Sequence, residues 1–278
     1  MMNEKYSVLM SVYEKEHPDH VRQSINSMLN QTLPPDEIVL VKDGKLTEEL
    51  DQVIEKYGSS YPTIFTIVAL KENVGLGLAL NEGLKASKNE LIARMDTDDI
   101  SIPDRCELQV LKFRESDDLS IIGSNIDEFY DSPNEIISSR IVPTDHEDIL
   151  KFSKRRNPFN HPSIMYKKSA VMKQGGYGNF RRNQDLDLFV RMLNSGCTAA
   201  NIDQSLVLFR ADKDNLRRRK SWEKCRSYIG MIYSFWRKGY SSLLDLIIVA
   251  TSQVVVYLAP VSFLGWLSNN YLRKTHDK

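Results

Sequence analysis

The stretch that decides the expected fold is Leu91-Ile92-Ala93-Arg94-Met95-Asp96-Thr97-Asp98-Asp99. Its apolar start predicts a short buried strand, and three carboxylates follow at the carboxyl end of that strand. In open α/β sheets, ligands bind outside the carboxyl ends of the strands. Crowded carboxylates repel one another unless a cation or hydrogen-bond donors offset the repulsion. Because oxygen ligands suit a hard divalent ion bound with substrate phosphates, the stretch predicts a metal–diphosphate site. An acidic loop that caps the next helix, near Pro103, is the alternative.

Strands alternate with helices upstream of this stretch. Apolar runs predict strands at residues 6–12, 37–41, 64–70 and 91–95. Helices are predicted at residues 18–30 and 47–57, with a third that ends near residue 87. This alternation is typical of βαβ units and a largely parallel sheet. The strand ends carry polar residues or glycine at residues 13–14, 42–44, 73–75 and 96–99. Four such ends in register would form a cleft large enough for a nucleotide.

The composition indicates one large domain with an appendage. The 278 residues are 41% apolar and 27% charged, and the formal net charge is zero. The charge is uneven, since residues 210–278 hold 13 lysines and arginines against 5 aspartates and glutamates. That excess predicts that the C-terminal part meets an anionic surface. Three cysteines without metal-ligand spacing indicate reduced thiols, and no signal peptide precedes the first strand, so we expect a cytoplasmic catalytic part.

Six pieces of sequence, in a fixed order, carry a family resemblance. They are residues 7–13, 37–44, 72–77, 79–84, 92–99 and 157–162. With them, the chain resembles the inverting glycosyltransferases of family two, and among these the bacterial exopolysaccharide and O-antigen sugar transferases of the amylovoran-biosynthesis type. The resemblance covers about three quarters of the chain, roughly residues 6–210. It implies the GT-A fold, a mixed and largely parallel α/β sheet flanked by helices, over residues 1–220. A helical, membrane-associated extension is expected over residues 221–278.

The resemblance also implies a binding site for a UDP-sugar. The positions that it assigns to this donor are Ser11, Val12, Tyr13, Glu14, Asp43, Asn73, Gly75, Arg94 and Asp96. Asp96 and Asp98 match the Asp-x-Asp signature, in which the last acid ligates a divalent metal, Mn²⁺ or Mg²⁺, that bridges the two phosphates. Such a metal would act as a Lewis acid on the departing UDP. Glycine in the turn at residue 75 would let the backbone approach the nucleotide. The less favoured alternative is that this glycine only ends a strand.

Asp185 matches the general base of the family, which takes the proton from the acceptor hydroxyl. The chain departs from the pattern beside it, since Gln184 stands where a glutamate is common. Asp187 lies about 200° further around the same predicted helix, so both carboxylates cannot face one site, and we expect Asp187 to pair with an arginine or cap the helix. His161 and Arg156 are placed beside the acceptor or a diphosphate. A loop histidine that is hydrogen-bonded to backbone is the alternative for His161.

The C-terminal part predicts contact with a membrane. Trp222–Lys238 has helical spacing, and Leu246–Leu267 runs 22 residues without a charge, interrupted by Gln253 and Pro260. That length permits a spanning helix, but a helix that lies in the interface explains the same pattern, and we prefer it. The basic run at residues 217–220 would contact either a diphosphate or anionic lipid. No nucleic-acid motif accompanies it, so we do not expect a nucleic-acid partner.

These inferences predict a metal-dependent, inverting hexosyltransferase. It would move galactose or glucose from a UDP-sugar to an undecaprenyl-diphosphate-linked saccharide during surface polysaccharide assembly. We expect it on the cytoplasmic side of the bacterial inner membrane, peripheral or monotopic through its C-terminus. One alternative is a sugar nucleotidyltransferase, which needs a glycine-rich basic loop where this chain has Tyr13–Glu16. The other is an inactive, nucleotide-binding scaffold protein, for which Gln184 is the support.

Overall fold

The structure is a computed structural model that describes residues 5–211, 221–260 and 274–275. The strands are β1 Tyr6–Val12, β2 Glu37–Lys42, β3 Phe65–Ala69, β4 Leu91–Arg94, β5 Ile100–Ser101, β6 Leu119–Phe129, β7 Ile136–Arg140, β8 Met165–Lys167, β9 Thr198–Arg210 and β10 Lys274–Thr275. The helices are α1 Pro18–Leu29, α2 Glu48–Ser60, α3 Leu76–Ala86, α4 Arg105–Glu115, α5 His146–Ser153, α6 Lys168–Lys173, α7 Gln184–Asn194, α8 Trp222–Arg237 and α9 Leu243–Leu258. A 3₁₀ turn covers His161–Ser163.

The strands form one mixed sheet in the order β10-β7-β6-β8-β4-β1-β2-β3. β4, β1, β2 and β3 run parallel to one another, as the alternation of strands and helices predicts. β8 is antiparallel to both β4 and β6, and β9 extends the sheet by pairing with β6 and β5. The prediction of a mixed α/β sheet flanked by helices is therefore confirmed.

The register of the parallel strands brings their carboxyl ends to one edge. Val12 of β1 lies opposite Lys42 of β2, and Lys42 lies opposite Ala69 of β3. On the other side of β1, Leu9 lies opposite Arg94, the last residue of β4. The residues that follow β1, β2 and β4 therefore enter the same region, where the polar strand ends were expected to meet.

Helices cover both faces of the sheet. Because side chains alternate along each strand, one strand contributes apolar residues to the cores on both faces. In β1, Val8, Met10 and Val12 belong to the core shared with α1, α2 and α4, whereas Leu9 belongs to the core shared with α3 and α7. Helix α3 lies very close to the sheet at Gly83, where a Cβ atom would stand 2.3 Å from the Leu9 side chain. A residue with a Cβ atom would force the buried Leu9 and Val41 side chains, or the helix itself, to shift.

Helices α8 and α9 form a third core with α7. Leu186 and Val190 of α7 pack with Ile232, Phe235 and Val249. The buried Asp245 completes a capping box with Ser242 and pairs with Arg155 at 2.5 Å, which ties the start of α9 to the rest of the chain. The division at residues 220 and 221 stays a prediction.

Among the described residues, none of the helices is long and apolar enough to cross a membrane. The 16-residue α9 ends at Leu258, just before Pro260, and therefore includes only the first part of the predicted uncharged run. The second part of that run, from residue 261, lies outside the described residues, as does the basic run at residues 217–220.

Candidate active site

Three carboxylates follow β4 and lie together. Asp96, Asp98 and Asp99, here called the acidic cluster, each offer an oxygen within 4.8 Å of the others. Asp99 is fully buried, and one of its oxygens accepts a hydrogen bond from the Arg210 backbone N–H at 2.9 Å. Its other oxygen, Oδ2, has no hydrogen-bond partner among the described residues. The sequence prediction assigned metal binding to Asp96 and Asp98 and left Asp99 without a role.

The positive charge near the acidic cluster compensates its carboxylates only in part. Burial, followed by repulsion from Asp96, raises the pKa of Asp98 to about 6. Burial also raises the pKa of Asp99 well above its usual range, and the Asp98 carboxylate adds to the shift. A hard divalent cation prefers such oxygen ligands and would relieve this repulsion, and the orphaned Asp99 oxygen could be one of its ligands. The residues present therefore fit a divalent metal.

A buried arginine stands beside the acidic cluster. Arg94, at the end of β4, is 1% exposed and forms an ion pair with Asp96. Its Nε and Nη1 atoms have no hydrogen-bond partner among the described residues. A second buried arginine, Arg105, holds the local backbone by donating to the carbonyl oxygens of Arg94 at 2.7 Å and Ile164 at 3.1 Å. Arg94 was predicted as a site residue. The buried role of Arg105 could not be read from its position at a helix start.

Asp43 organises the turn that precedes α3. Its carboxylate accepts hydrogen bonds from the backbone N–H groups of Val74 at 2.7 Å and Gly75 at 3.1 Å. The Asn73 side chain donates to the Asp43 carbonyl oxygen at 3.2 Å, and Gly75 has a φ of +87° that favours glycine. Asp43, Asn73 and Gly75 are thus brought together at the end of β2. Their contact with a nucleotide stays a prediction.

Only some of the predicted site residues at the end of β1 line a cavity at the carboxyl edge of the sheet. Tyr13 lines a cavity of about 590 Å³, here called the first cavity, together with Glu16, Asp98 and Arg210. Val12 is fully buried in the core, so its side chain faces away from this cavity. Ser11 is half-buried, and its carbonyl oxygen accepts from Thr97 Oγ1 at 3.3 Å.

Glu16, rather than the predicted Glu14, is the glutamate that lines the first cavity, and Glu14 is exposed. Burial and the carboxylates of Asp98 and Asp96 raise the pKa of Glu16 to about 7. The turn after β1 determines which of the two glutamates faces inward, and sequence periodicity does not reveal it.

Asp185 occupies the first turn of α7. Asn157 donates from Nδ2 to Asp185 Oδ2 at 2.6 Å. Burial raises the pKa of Asp185, while the backbone N–H groups of Leu186 and of Asp185 itself act in the opposite direction. The preceding Asn183 has a left-handed φ of 59°, a conformation that non-glycine residues adopt rarely. Asp187 pairs with Arg191 at 2.7 Å, as expected.

Asp185 lines another cavity of about 650 Å³, here called the second cavity, with His161. His161 Nε2 lies 3.0 Å from the Tyr177 hydroxyl, and burial lowers the pKa of its imidazole well below the usual value. The ring is therefore neutral at pH 7 and offers a hydrogen bond rather than a charge. Arg156 lies over the Phe152 ring at 5.2 Å and lines a neighbouring cavity, so the structure does not bring it together with His161.

Comparison with known proteins agrees with this geometry. Residues 7–178 match Glycosyl transferase family 2. A UDP-Gal:alpha-D-GlcNAc-diphosphoundecaprenol beta-1,3-galactosyltransferase of Escherichia coli is 37% identical over 270 residues, which cover 97% of each chain. The amylovoran biosynthesis glycosyltransferase AmsE of Erwinia amylovora is 35% identical over 224 residues, 81% of this chain and 83% of AmsE.

A solved structure supports the fold. The mannosyltransferase PcManGT of Pyrobaculum calidifontis, in complex with GDP-Man and Mn²⁺, superposes with a TM-score of 0.62 at 13% identity. The superposition covers 96% of this chain and 79% of PcManGT. From the family match, the two relatives and the shared architecture, we conclude that the chain belongs to glycosyl transferase family 2 and is a glycosyltransferase with the GT-A fold.

Proposed function

We propose that this enzyme transfers galactose or glucose from a UDP-sugar to a polyprenyl-diphosphate-linked saccharide, with inversion, during surface polysaccharide assembly. One observation carries the proposal. Arg94 forms an ion pair with Asp96 of the acidic cluster, and its backbone N–H donates to the Ile164 carbonyl oxygen at 2.9 Å. Ile164 follows the 3₁₀ turn that begins at His161, which lines the second cavity with Asp185. A nucleotide diphosphate at the acidic cluster and an acceptor hydroxyl at Asp185 would therefore meet near Arg94. The name of the E. coli relative supports the choice of donor and acceptor.

The reaction needs a carboxylate at the acceptor hydroxyl as well as carboxylates at the donor diphosphate. Asp185 would accept the proton of the acceptor hydroxyl while that oxygen forms a bond to the anomeric carbon and the bond from this carbon to UDP breaks. The electron pair of the broken bond leaves with UDP. Attack opposite the leaving group inverts the anomeric configuration, so an α-linked donor gives a β-linked product. Asn157 would hold the carboxylate of Asp185 in position.

The acidic cluster would hold a divalent cation, Mn²⁺ or Mg²⁺, through Asp98 with Asp96 and Asp99. When bound, the cation would neutralise negative charge on the diphosphate of the donor. The side chain of Asp43, held by the turn at Val74 and Gly75, would fix the uridine side of the same ligand. Tyr13 would cover the nucleotide from the end of β1.

Association with the cytoplasmic face of the inner membrane belongs to the same proposal. Large apolar side chains of α9 are exposed, among them Leu244 at 61% and Leu258 at 71%. A helix of this length extends about 24 Å, less than the ~30 Å hydrocarbon core of a bilayer. An interfacial position, with the apolar side chains in the headgroup boundary, suits this helix better than a spanning one.

The full chain, incubated with UDP-galactose or UDP-glucose, Mn²⁺ and a synthetic GlcNAc-diphosphate-alkyl acceptor, tests the proposal. We expect UDP release that requires both the cation and the acceptor, and a β-linkage in the product by NMR. Pyrophosphate as the product would identify a nucleotidyltransferase instead. UDP binding without turnover on any acceptor would identify an inactive homologue, and an α-linked product from an α-linked donor would contradict the inverting mechanism.

A further inference from the structure

The lining of the second cavity combines three kinds of side chain. Asp185, at the start of α7, supplies a carboxylate. Arg181, Arg182 and Lys224 supply positive charge, and Gln253 and Val256 belong to α9. Its volume of about 650 Å³ lies within the range of pockets that hold small-molecule ligands, roughly 300–1,000 Å³. An acid, a group of cations and an apolar helix therefore share one space.

Two of these cations, Arg181 and Arg182, are incompletely paired. Arg181 and Arg182 both face the Glu223 carboxylate at 3.6 Å, which is beyond hydrogen-bond length. Arg182 Nη1 is buried and has no hydrogen-bond partner among the described residues. Lys224, in the first turn of α8, adds a third positive charge to the lining. Guanidinium groups donate in a fork that matches phosphate oxygens, so this arrangement suits a phosphorylated ligand.

The part of α9 that lines the second cavity is flanked by exposed apolar side chains. Beyond Val256, the side chains of Val255, Tyr257 and Leu258 are 46%, 38% and 71% exposed. Tyr257 also contacts the Trp222 ring, with centroids 5.4 Å apart, and Trp222 is itself half exposed. Tyrosine and tryptophan side chains, which have an apolar ring and a polar group that faces water, are typical of boundaries between water and lipid. The apolar chain of a ligand bound in this cavity could therefore extend along the surface of α9.

We propose that the second cavity binds the diphosphate of the lipid-linked acceptor, with its phosphates on Arg181, Arg182 and Lys224 and its first isoprene units on the end of α9. This inference rests on the proposed function, because it names the part of the chain that recognises the proposed acceptor. The diphosphate of the donor belongs to the acidic cluster in the first cavity, so this is a separate diphosphate site. Bound in this way, the saccharide would extend from the phosphates toward Asp185.

Binding of an isoprenoid diphosphate tests the site without turnover. The probe is farnesyl diphosphate, titrated into the full chain by calorimetry, with farnesol and inorganic pyrophosphate as partial ligands. We expect farnesyl diphosphate to bind more tightly than either partial ligand. Arg182→Gln and Lys224→Gln should each weaken it by about tenfold, because each removes a charge-assisted hydrogen-bond donor. Arg226→Gln, which removes the same charge from an exposed position on α8, should change affinity by less than about twofold.

Three results would overturn the inference. Farnesyl diphosphate could bind equally to the wild type and to the Arg182→Gln/Lys224→Gln double variant. The two single variants could weaken binding of UDP with Mn²⁺ as much as that of the probe, which would assign these cations to the donor. Pyrophosphate could bind as tightly as farnesyl diphosphate, which would remove α9 from the site. Arg181→Gln, at a side chain that is 86% exposed, provides a variant that should fold in every case.

Sugar transfer separates this inference from the proposed function. If the wild type binds the probe through these cations but transfers no sugar, the proposed function fails and the binding site stands. If the wild type transfers sugar and the variants keep the acceptor KM of the wild type, the site fails and the function stands. Where the binding site and the proposed function both hold, the variants should raise the KM for a diphosphate acceptor by about tenfold. Their kcat should stay within a factor of about three of the wild-type value.

Discussion

Asp185 and Asp187 lie two positions apart at the start of α7, and their surroundings give them different capacities. Asp185 lines the second cavity, with one hydrogen bond from a side chain. Asp187 is 5% exposed at its side chain and is held by Arg191. Burial raises the pKa of Asp185, so its carboxylate accepts a proton more readily, whereas a carboxylate oxygen of Asp187 is already engaged by Arg191. Position on the helix therefore separates a candidate base from a structural acid.

Asp185→Asn should abolish sugar transfer and leave UDP affinity within about twofold of the wild type, because the amide cannot accept a proton but keeps the shape of the side chain. Calorimetry with UDP and Mn²⁺ and an assay of transfer measure the two effects. Asp187→Asn is the matched control, and we expect it to lower the melting temperature but to retain transfer. Loss of UDP binding in Asp185→Asn would remove Asp185 from the role of base.

Asn157→Asp should move the acid limb of the kcat profile to higher pH. The new carboxylate would lie within hydrogen-bond distance of Asp185, and a neighbouring negative charge raises the pKa of a carboxyl group. If Asp185 is the general base, activity requires its deprotonated form and is lost as pH falls through its pKa. A raised pKa then brings this loss at higher pH. Profiles of kcat from pH 4 to 9 test this, with Asn157→Ala as a second variant. An acid limb that does not move in Asn157→Asp would contradict the contact.

At the scale of elements, β9 shows where local pattern fails. This 13-residue strand pairs in parallel with β6 through several register shifts, and it was not predicted. Its polar residues obscure the alternation because they pair across the sheet. Asp203 accepts from Asn125 at 3.0 Å, and Ser205 donates to Asp127 at 2.6 Å. The strand also brings Arg210 to the acidic cluster, where its backbone N–H binds Asp99.

The apolar surface of α9 leads to a prediction about membranes. A triple variant, Leu244→Gln, Ile247→Gln and Leu258→Gln, should lower binding to anionic lipid vesicles by at least about tenfold, because each exposed apolar side chain contributes to insertion. Sedimentation with vesicles measures the effect, and Thr251→Gln on the same helix is the control. Circular dichroism and unchanged UDP binding would show that the variant is folded. Equal sedimentation of wild type and triple variant would contradict an interfacial α9.

At the scale of the whole molecule, Arg94 links the acidic cluster to the turn beside the second cavity. It forms an ion pair with Asp96, and its backbone N–H donates to the Ile164 carbonyl oxygen at 2.9 Å, next to the 3₁₀ turn that carries His161. Burying an arginine is costly unless negative groups compensate it, and Asp96 supplies such a group. In the proposed function, the donor diphosphate at the acidic cluster would bring further negative charge toward Arg94.

UDP with Mn²⁺ should stabilise the whole chain in a pH-dependent way. At a hundred times Kd, the added stability is about 2.7 kcal/mol, or roughly 5–10 °C in melting temperature. Because the pKa of Asp98 is raised to about 6 in the fold, the metal-free protein loses stability from this group as pH rises through 6. The cation competes with that proton, so its stabilising effect should be large at pH 7.5 and small at pH 5. Thermal melts at both pH values measure it, with UDP alone as control. A rise in melting temperature that is equal at pH 5 and pH 7.5 would contradict metal binding by Asp98.

The sequence by itself determined the βαβ order, the position of the acidic cluster after a buried strand and the place of Asp185 at a helix start. The first two follow from the alternation of apolar runs with polar strand ends along the chain, and the third follows from helical spacing after residue 184. The family resemblance added the roles of the residues, and the match to Glycosyl transferase family 2 agrees with it.

Only the tertiary structure decided which side chains face each other. Asn157 and Asp185 are 28 positions apart, and Asp99 meets Arg210 across 111 positions. The choice of Glu16 over Glu14 at the first cavity, and the burial of Arg94 and Arg105, likewise depend on elements that pack from distant parts of the chain. Periodicity describes which face of an element is apolar, whereas the partner of a polar group depends on how those faces assemble.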